Sequence, residues 1–215
     1  MSTAVYSHVP HAAEHIVINK ENIMARSRKL SFTYNAPVTL TFALISFGVL
    51  VAGWITGGKS TQLFFEVYRS KISVAWFVRL FGHVLGHSSL SHYASNMTLF
   101  LLLGPVLEDK YGGATMVEAF GLVAIISGLV NIIFFPGTAL LGASGLVFMM
   151  IILVSASDLR AGEIPITMIL IMIIYLGSEL WSMVTTHDNI SQLTHIIGGL
   201  CGAIFGGLLN SRSGD

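Results

Sequence analysis

The stretch LGASG, residues Leu141–Gly145, places Ser144 between glycines at the start of an otherwise apolar run. About 50 residues later, a second apolar run carries His195 near its own start. A third apolar run carries His92 and Asn96, which are one helical turn apart. A serine, a histidine and hydrogen-bond donors at the ends of membrane-length segments are the groups that acyl transfer requires.

The composition predicts a membrane protein. Of the 215 residues, 53% are hydrophobic and only 10% are charged, whereas a typical soluble domain has about 25% charged residues. The formal net charge of zero gives no support for a nucleic-acid partner. The single cysteine, Cys201, excludes an intramolecular disulfide. The first 36 residues lack an apolar core with a cleavage site, so we expect the first membrane segment to direct insertion.

Six apolar stretches approach the ~20 residues that a helix needs to cross the hydrocarbon core. They are Val38–Gly57, His92–Leu107, Ala114–Phe135, Ser144–Ser157, Ile164–Val184 and Leu193–Leu209. The fourth is short and follows a break at Pro136-Gly137, so its start is expected to line a cavity or to be buried in protein. We therefore predict an all-α membrane protein with six transmembrane helices. Its parts are a polar tail (1–36), a membrane domain (37–210) and a short C-terminal tail (211–215).

The connection between the first two spans, residues 58–91, is charged yet rich in Leu, Phe, Val and Trp. This mixture predicts amphipathic segments that lie in the membrane interface. The basic residues before the first span are Lys20, Arg26, Arg28 and Lys29. They favour a cytoplasmic N-terminus, and with six spans the C-terminus is cytoplasmic too. The starts of spans two, four and six, which carry His92, Ser144 and His195, then meet at the outer side.

Ser144 suits a nucleophile because the first N–H groups of a helix lack intrahelical partners and the helix dipole favours negative charge there. Gly142 and Gly145 permit a tight backbone and a close approach of substrate. Together these features predict an oxyanion hole. The alternative is that a cluster of small residues only allows close helix packing.

His195 precedes Gly198, Gly202 and Gly206, glycines at every fourth position that give span six one smooth face. Three residues from Gly198, His195 is expected near that face and toward a packed neighbour. If the neighbour is span four, the histidine reaches Ser144. The alternative is a hydrogen-bonded packing histidine, although ionisable groups at membrane depth are functional by default.

His92 and Asn96 share a helix face, and both supply donors for a developing oxyanion. Upstream, Arg79, His83 and His87 also follow a spacing of four. Three histidines at 83, 87 and 92 leave zinc as an alternative. No carboxylate or cysteine accompanies them, and asparagine is a poor zinc ligand, so we expect neither a metal nor a cofactor.

The sequence resembles the rhomboid family of intramembrane serine proteases from about Arg79 to Gly206. The resemblance rests on three motifs. These are Gly-Ala-Ser-Gly at 142–145, the series His83, His87, His92 and Asn96, and His-x-x-Gly-x-x-x-Gly at 195–202. The six-span form resembles the simple bacterial type, which implies an inner-membrane protein whose active site opens to the outer side.

The resemblance implies a dyad without an acidic third member, with Ser144 as nucleophile and His195 as general base. It implies an oxyanion hole made by His92, Asn96 and the Ser144 backbone N–H. Substrates would be membrane proteins with a transmembrane helix. The positions with supporting or structural roles would be Gly142, Phe148, His87, Arg79 and Glu108. Residues 58–91 would form a membrane-embedded first loop, and span five would be a lateral gate.

Two positions depart from the family pattern. Phe148 stands where a tyrosine is frequent, so a ring is kept and a hydroxyl is lost, and Thr194 stands where alanine is frequent. Neither change removes a catalytic group. Polar residues within spans (Glu118, Asn131 and Glu179) are expected to face protein or water. Asp188, before His195, is a further candidate for orienting the histidine.

Two other classes of protein compete with a protease. A catalytically silent binder of membrane helices would be expected to lack the serine or the histidine, and both Ser144 and His195 are present. A small-solute transporter predicts internal pseudo-symmetry with paired broken helices, and we find no convincing repeat between the two halves. The sequence therefore favours the enzyme.

Overall fold

The computed structural model describes residues 33–158, together with residues 166, 170, 173, 174, 197–202, 204 and 205. Within this part, the chain from Tyr34 onward belongs to one compact helical unit. The α-helices are α1 (Pro37–Ile55), α2 (Val74–Gly82), α3 (Leu90–Tyr111), α4 (Gly113–Phe134) and α5 (Ser144–Asp158). A π-helical turn (Thr61–Phe65) precedes α2, and a 3-10 turn (His83–Leu85) follows it. Residues 197–202 are also helical.

Four of the predicted spans correspond to α1, α3, α4 and α5, with shifted ends. The largest difference is at the second span, expected over His92–Leu107 and observed over Leu90–Tyr111. It starts earlier because the Ser89 side chain accepts a hydrogen bond from the His92 backbone N–H at 3.1 Å and caps the helix. It ends at Gly112, whose φ of 81° breaks the helix. The charged last turn is therefore helical, although its composition is not apolar.

Two of the described helices, α1 and α4, are long and apolar enough to cross a membrane. Helix α3 matches α4 in length, at 22 residues each, but its last turn carries Glu108, Asp109 and Lys110. Most of the residues of predicted spans five and six lie outside the described part. The chain is all-helical where described, and the count of six spans stays a prediction.

Helix α5 is largely buried in protein. Six of its apolar side chains are at most 1% exposed. They are Leu146, Val147, Met149, Met150, Ile151 and Leu153. Its 15 residues span only ~22 Å at 1.5 Å per residue. A short helix can start away from the membrane surface when its end is surrounded by protein, since its free N–H groups then face protein partners or a cavity.

Helix α3 packs against α1, α4 and α5. Phe42, Phe100 and Phe120 form a cluster that joins α1, α3 and α4, with ring centroids 4.6 to 5.6 Å apart. The opposite faces of these helices expose large apolar side chains, such as Leu44 at 65% and Val117 at 56%. Extensive apolar exposure of this kind suits a lipid environment.

The α1–α3 contact is closed at one end by Glu108. Its carboxylate accepts hydrogen bonds from the backbone N–H groups of Val38 and Thr39, at 2.8 and 2.9 Å, and from the Thr39 hydroxyl at 2.8 Å. Helix α1 has no side-chain cap of its own. A carboxylate from α3 therefore satisfies the free N–H groups at the start of α1.

The connection between α1 and α3 is pinned to the loop that precedes α5. Val67 and Leu140 form an antiparallel bridge with two hydrogen bonds of 2.9 Å. The Asn131 amide donates to the Val67 carbonyl at 3.1 Å, and Asn131 is only 2% exposed. Asn131 therefore faces protein, as expected, whereas Glu118 is exposed and Glu179 lies outside the described residues.

Candidate active site

Ser144 is the first residue of α5, and its preceding loop is held in place by hydrogen bonds. Gly142 has a φ of +123°, a backbone conformation that residues with a side chain rarely adopt. Its N–H donates to the His83 carbonyl at 2.9 Å. The loop is thus fixed between the Val67 bridge and His83. It places the half-buried Ser144 at the N-terminus of α5.

His92 and Asn96 lie directly against this loop. A Cβ built on Gly142 would lie 2.8 Å from His92 Nε2 and 3.9 Å from Asn96 Nδ2. A Cβ at that position would crowd the His92 ring, whereas its distance from Asn96 is that of an ordinary contact. The Asn96 amide donates one hydrogen bond to the His92 carbonyl at 3.2 Å, and its second N–H remains for another acceptor. The structure therefore brings both predicted donors to the loop that carries Ser144.

The helical segment 197–202 packs on the start of α5. A Cβ built on Gly198 would collide with the Gly145 carbonyl oxygen and would lie 3.1 Å from Gly145 Cα. A Cβ on Gly202 would lie 2.7 Å from the Met149 carbonyl oxygen. The spacing predicted a glycine face that packs on a neighbouring helix, and the structure identifies that neighbour as the fourth predicted span. His195 and Thr194 lie outside the described residues.

Phe148 occupies the position where the family pattern has a frequent tyrosine. It is half-buried, and a Cβ built on Gly199 would lie 2.6 Å from its ring. Its side chain therefore lies between α5 and the segment 197–202. Phenylalanine lacks the ring hydroxyl that a tyrosine would place here.

A second serine–histidine contact lies in the core. His83 Nε2 is 3.2 Å from the Ser127 hydroxyl, and both residues are at most 2% exposed. Ser127 sits inside α4 and contacts the Val123 carbonyl at 2.6 Å. Its neighbouring N–H groups belong to the middle of a helix, so no free donors surround it. This pair lacks the helix start that stabilises an oxyanion, and it suits packing.

His83 and His87 are held as neutral rings. Each places Nδ1 near a backbone carbonyl, that of Leu80 at 3.0 Å and that of Leu85 at 3.1 Å. Nε2 of His87 is buried without a hydrogen-bond partner among the described residues, and a carbonyl only accepts, so the proton of the His87 ring is on Nδ1. Burial lowers the pKa of His83 to about 4, and burial together with the neighbouring His92 lowers the pKa of His87 to about 4. The His87 ring meets the His92 ring edge-on, with centroids 5.0 Å apart.

Zinc gains no support from this arrangement. Within residues 33–158 and the other described positions, no group of three or more histidine, cysteine or carboxylate side chains could hold a metal ion. His83 turns toward Ser127, whereas His87 turns toward His92. The three histidines that share a sequence spacing therefore do not share one site.

Arg79 makes its polar contacts within the connection between α1 and α3. Its guanidinium donates to the Tyr68 hydroxyl at 3.1 Å and to the Ser70 hydroxyl at 2.7 Å. It also lies 4.4 Å from the centroid of the Tyr68 ring. These contacts tie the strand-like part of the connection to α2, and none of them reaches Ser144.

The sequence reasoning missed three partners. They are Ser88, whose hydroxyl lies 3.1 Å from His92 Nδ1, Ser127 beside His83, and Thr39 beside Glu108. The spacing of four between Ser88 and His92 was a usable signal. The other two pairs join residues far apart in the chain, and no local pattern reveals them.

A cavity of about 440 Å³ opens beside His87 and Ser88. It is bounded by the end of α1 at Gly53 and Trp54 and by Glu66. Partial burial raises the pKa of the Glu66 carboxyl. The cavity therefore places His87 and Ser88 beside open space.

Comparison with protein families gives one match. The family model described as Rhomboid, the rhomboid domain, matches residues 74–212, which is well over half of the chain. Comparison with curated proteins gives no match. The matched range contains the predicted nucleophile Ser144, the predicted donors His92 and Asn96, and the other histidines of the motifs, His83, His87 and His195.

Proposed function

The chain belongs to the rhomboid family, whose members are intramembrane serine proteases, and we propose that it cleaves peptide bonds by a Ser144–His195 dyad. The bonds cleaved lie in or near transmembrane segments of other membrane proteins. Neither a metal nor a cofactor takes part. The protein is an integral membrane protein, as the family is.

The contact between Gly198 and Gly145 carries this proposal. The two backbones approach so closely that a single Cβ on Gly198 would collide with the Gly145 carbonyl. His195 is three residues before Gly198, and residues three apart share a helix face. We propose that this spacing brings His195 to Ser144, the residue before Gly145. On the other side, Gly142 holds His92 and Asn96.

In the proposed reaction, His195 transfers the protons and three N–H groups bind the oxyanion. His195 takes the Ser144 proton as the serine oxygen attacks the scissile carbonyl carbon. The resulting oxyanion is bound by His92 Nε2–H, an Asn96 amide N–H and the Ser144 backbone N–H. His195 then gives its proton to the leaving amine, and the peptide bond breaks. Water, deprotonated by His195, hydrolyses the acyl-enzyme and regenerates Ser144.

Access and location belong to the same proposal. Residues 58–91 form the membrane-embedded first loop, and span five acts as the lateral gate for a substrate helix. Both termini are cytoplasmic in the inner membrane of a bacterium, and the site opens to the outer side. The cavity beside His87 and Ser88 offers room for water near the proposed site.

The test compares the two serine–histidine pairs. The full-length protein in detergent or bilayer discs is treated with a fluorophosphonate probe and assayed with a model transmembrane substrate. We expect labelling and cleavage in the wild type and in Ser127→Ala, and loss of both in Ser144→Ala and His195→Ala. Thermal unfolding of each variant controls for folding.

The alternative is a silent member that binds helices without cleaving them. It would bind the model substrate with no labelling and no product in the wild type. Labelling that persists in Ser144→Ala and disappears in Ser127→Ala would move the nucleophile to α4. Either result overturns the proposed dyad.

A further inference from the structure

We infer that Ser88 is a positioning residue that sets the tautomer of His92, an inference that rests on the proposed oxyanion role of His92. The Ser88 hydroxyl donates to His92 Nδ1, and the ring proton is thereby held on Nε2. Nε2 is the ring nitrogen that faces the loop of the nucleophile. Ser88 thus makes His92 a hydrogen-bond donor where the reaction needs one.

The two ring nitrogens of His92 have different surroundings. Nδ1 lies 3.1 Å from the Ser88 hydroxyl oxygen. Nε2 lies 2.8 Å from the position of a Cβ built on Gly142, two residues before Ser144. The ring therefore spans the gap between Ser88 and the loop of the nucleophile, with one nitrogen toward each.

The backbone holds Ser88 within reach of the ring. Ser89 is the cap residue of α3, extended at φ −155° and ψ 164°, and its hydroxyl accepts from the His92 N–H at 3.1 Å. Two consecutive serines therefore contact the same residue, one at its backbone and one at its ring. The exposed Ser88 hydroxyl is free to rotate and to offer its proton to Nδ1.

The direction of the Ser88 bond follows from charge. A neutral imidazole has one N–H and one lone pair. With the proton on Nδ1, His92 would present the Nε2 lone pair to a developing oxyanion and would repel it. With Ser88 donating to Nδ1, the proton is on Nε2 and the same ring attracts the oxyanion. Only the second tautomer serves the reaction.

The test uses the isosteric pair Ser88→Thr and Ser88→Val, with Ser91→Ala as the matched control. Ser91 is an exposed serine in the first turn of α3. We expect Ser88→Val to lower kcat roughly 3- to 10-fold, the effect of one neutral hydrogen bond, with little change in KM. Ser88→Thr and Ser91→Ala should retain kcat within about 2-fold, since each keeps the donor at position 88.

The tautomer is measured directly by ¹⁵N NMR of histidine-labelled full-length protein, with the His92 signals assigned from His92→Gln. We expect protonated Nε2 in the wild type and in Ser88→Thr, and a mixture of tautomers in Ser88→Val. Unchanged tautomer and kcat in Ser88→Val, or no rescue by threonine, overturns the inference. If the wild type cleaves nothing but the His92 tautomer still differs between the wild type and Ser88→Val, the positioning role of Ser88 is supported and the proposed protease activity is refuted.

Discussion

At the scale of single residues, hydrogen-bond capacity separates the histidines. His83 and His87 each place Nδ1 against a backbone carbonyl, so both rings have structural contacts. The His92 ring differs: its Nδ1 lies 3.1 Å from the Ser88 hydroxyl and its Nε2 faces Gly142. Three histidines with similar spacing therefore differ in chemistry because their acceptors differ.

Acid is expected to destabilise the fold through His83. Burial lowers the pKa of His83 to about 4 in the folded protein, against about 6.5 in an unfolded chain. The unfolded state therefore binds more protons below pH 6.5, and stability falls as the pH drops from 6.5 toward 4. The loss from this residue is on the order of 3 kcal/mol.

Thermal unfolding at pH 7.5 and pH 5 measures this effect. In His83→Asn, whose amide can still donate to the Leu80 carbonyl, the decrease in Tm between the two pH values should become smaller. It should not vanish, because the pKa of His87 is lowered as well. An identical decrease in wild type and variant would show that His83 does not drive the acid sensitivity.

At the scale of elements, the ends of helices decide how they meet. Helix α1 begins at Pro37, after Ala36, and has no side-chain cap of its own. The Glu108 carboxylate of α3 supplies the cap. Helix α3 carries its own cap at Ser89. Gly104 allows the same two helices to approach, since its Cβ would meet the Thr39 side chain.

Glu108→Gln is expected to destabilise the protein by about 1.5–3 kcal/mol, the effect of losing hydrogen bonds to a charged group. An amide offers one acceptor oxygen in place of two, so at least one N–H of α1 loses its partner. Asp109→Asn is the matched control, because Asp109 is the exposed neighbour on the same turn. Equal Tm values for the two variants would contradict a capping role for Glu108.

At the scale of the whole molecule, three separate parts of the chain converge on Gly142–Gly145. The first connection binds the loop through Val67 and His83. Helix α3 contributes His92 and Asn96, and the segment 197–202 packs on Gly145. The buried helix α5 holds the serine at the centre of these contacts.

Gly198→Ala is expected to lower kcat about 100-fold, the loss that a displacement of ~1 Å can cause. The added Cβ would collide with the Gly145 carbonyl and push the segment 197–202 away from α5. In the proposed dyad, this separates His195 from Ser144. Gly121→Ala is the control, because nothing lies within 4 Å of its added Cβ. Cleavage of the model substrate and thermal unfolding are measured for both. Wild-type kcat in a folded Gly198→Ala protein would contradict the proposed contact.

Local sequence patterns were enough to predict the described helices and the reactive groups at their ends. Apolar runs and the break at Pro136-Gly137 predicted helices and a helix start at Ser144. The glycine spacing predicted a smooth packing face on span six. The motifs predicted the family, which the match over residues 74–212 confirms. These features are local, because each depends on residues within a few helical turns.

Only the tertiary structure decided which polar groups pair. Ser88 with His92, His83 with Ser127, and Glu108 with Val38 and Thr39 became visible through packing. It also separated His83 from His87, although their spacing is that of neighbours on one helix face. The physical reason is that partners far apart in the chain leave no periodic pattern, and a polar side chain takes whichever acceptor the packed core places beside it.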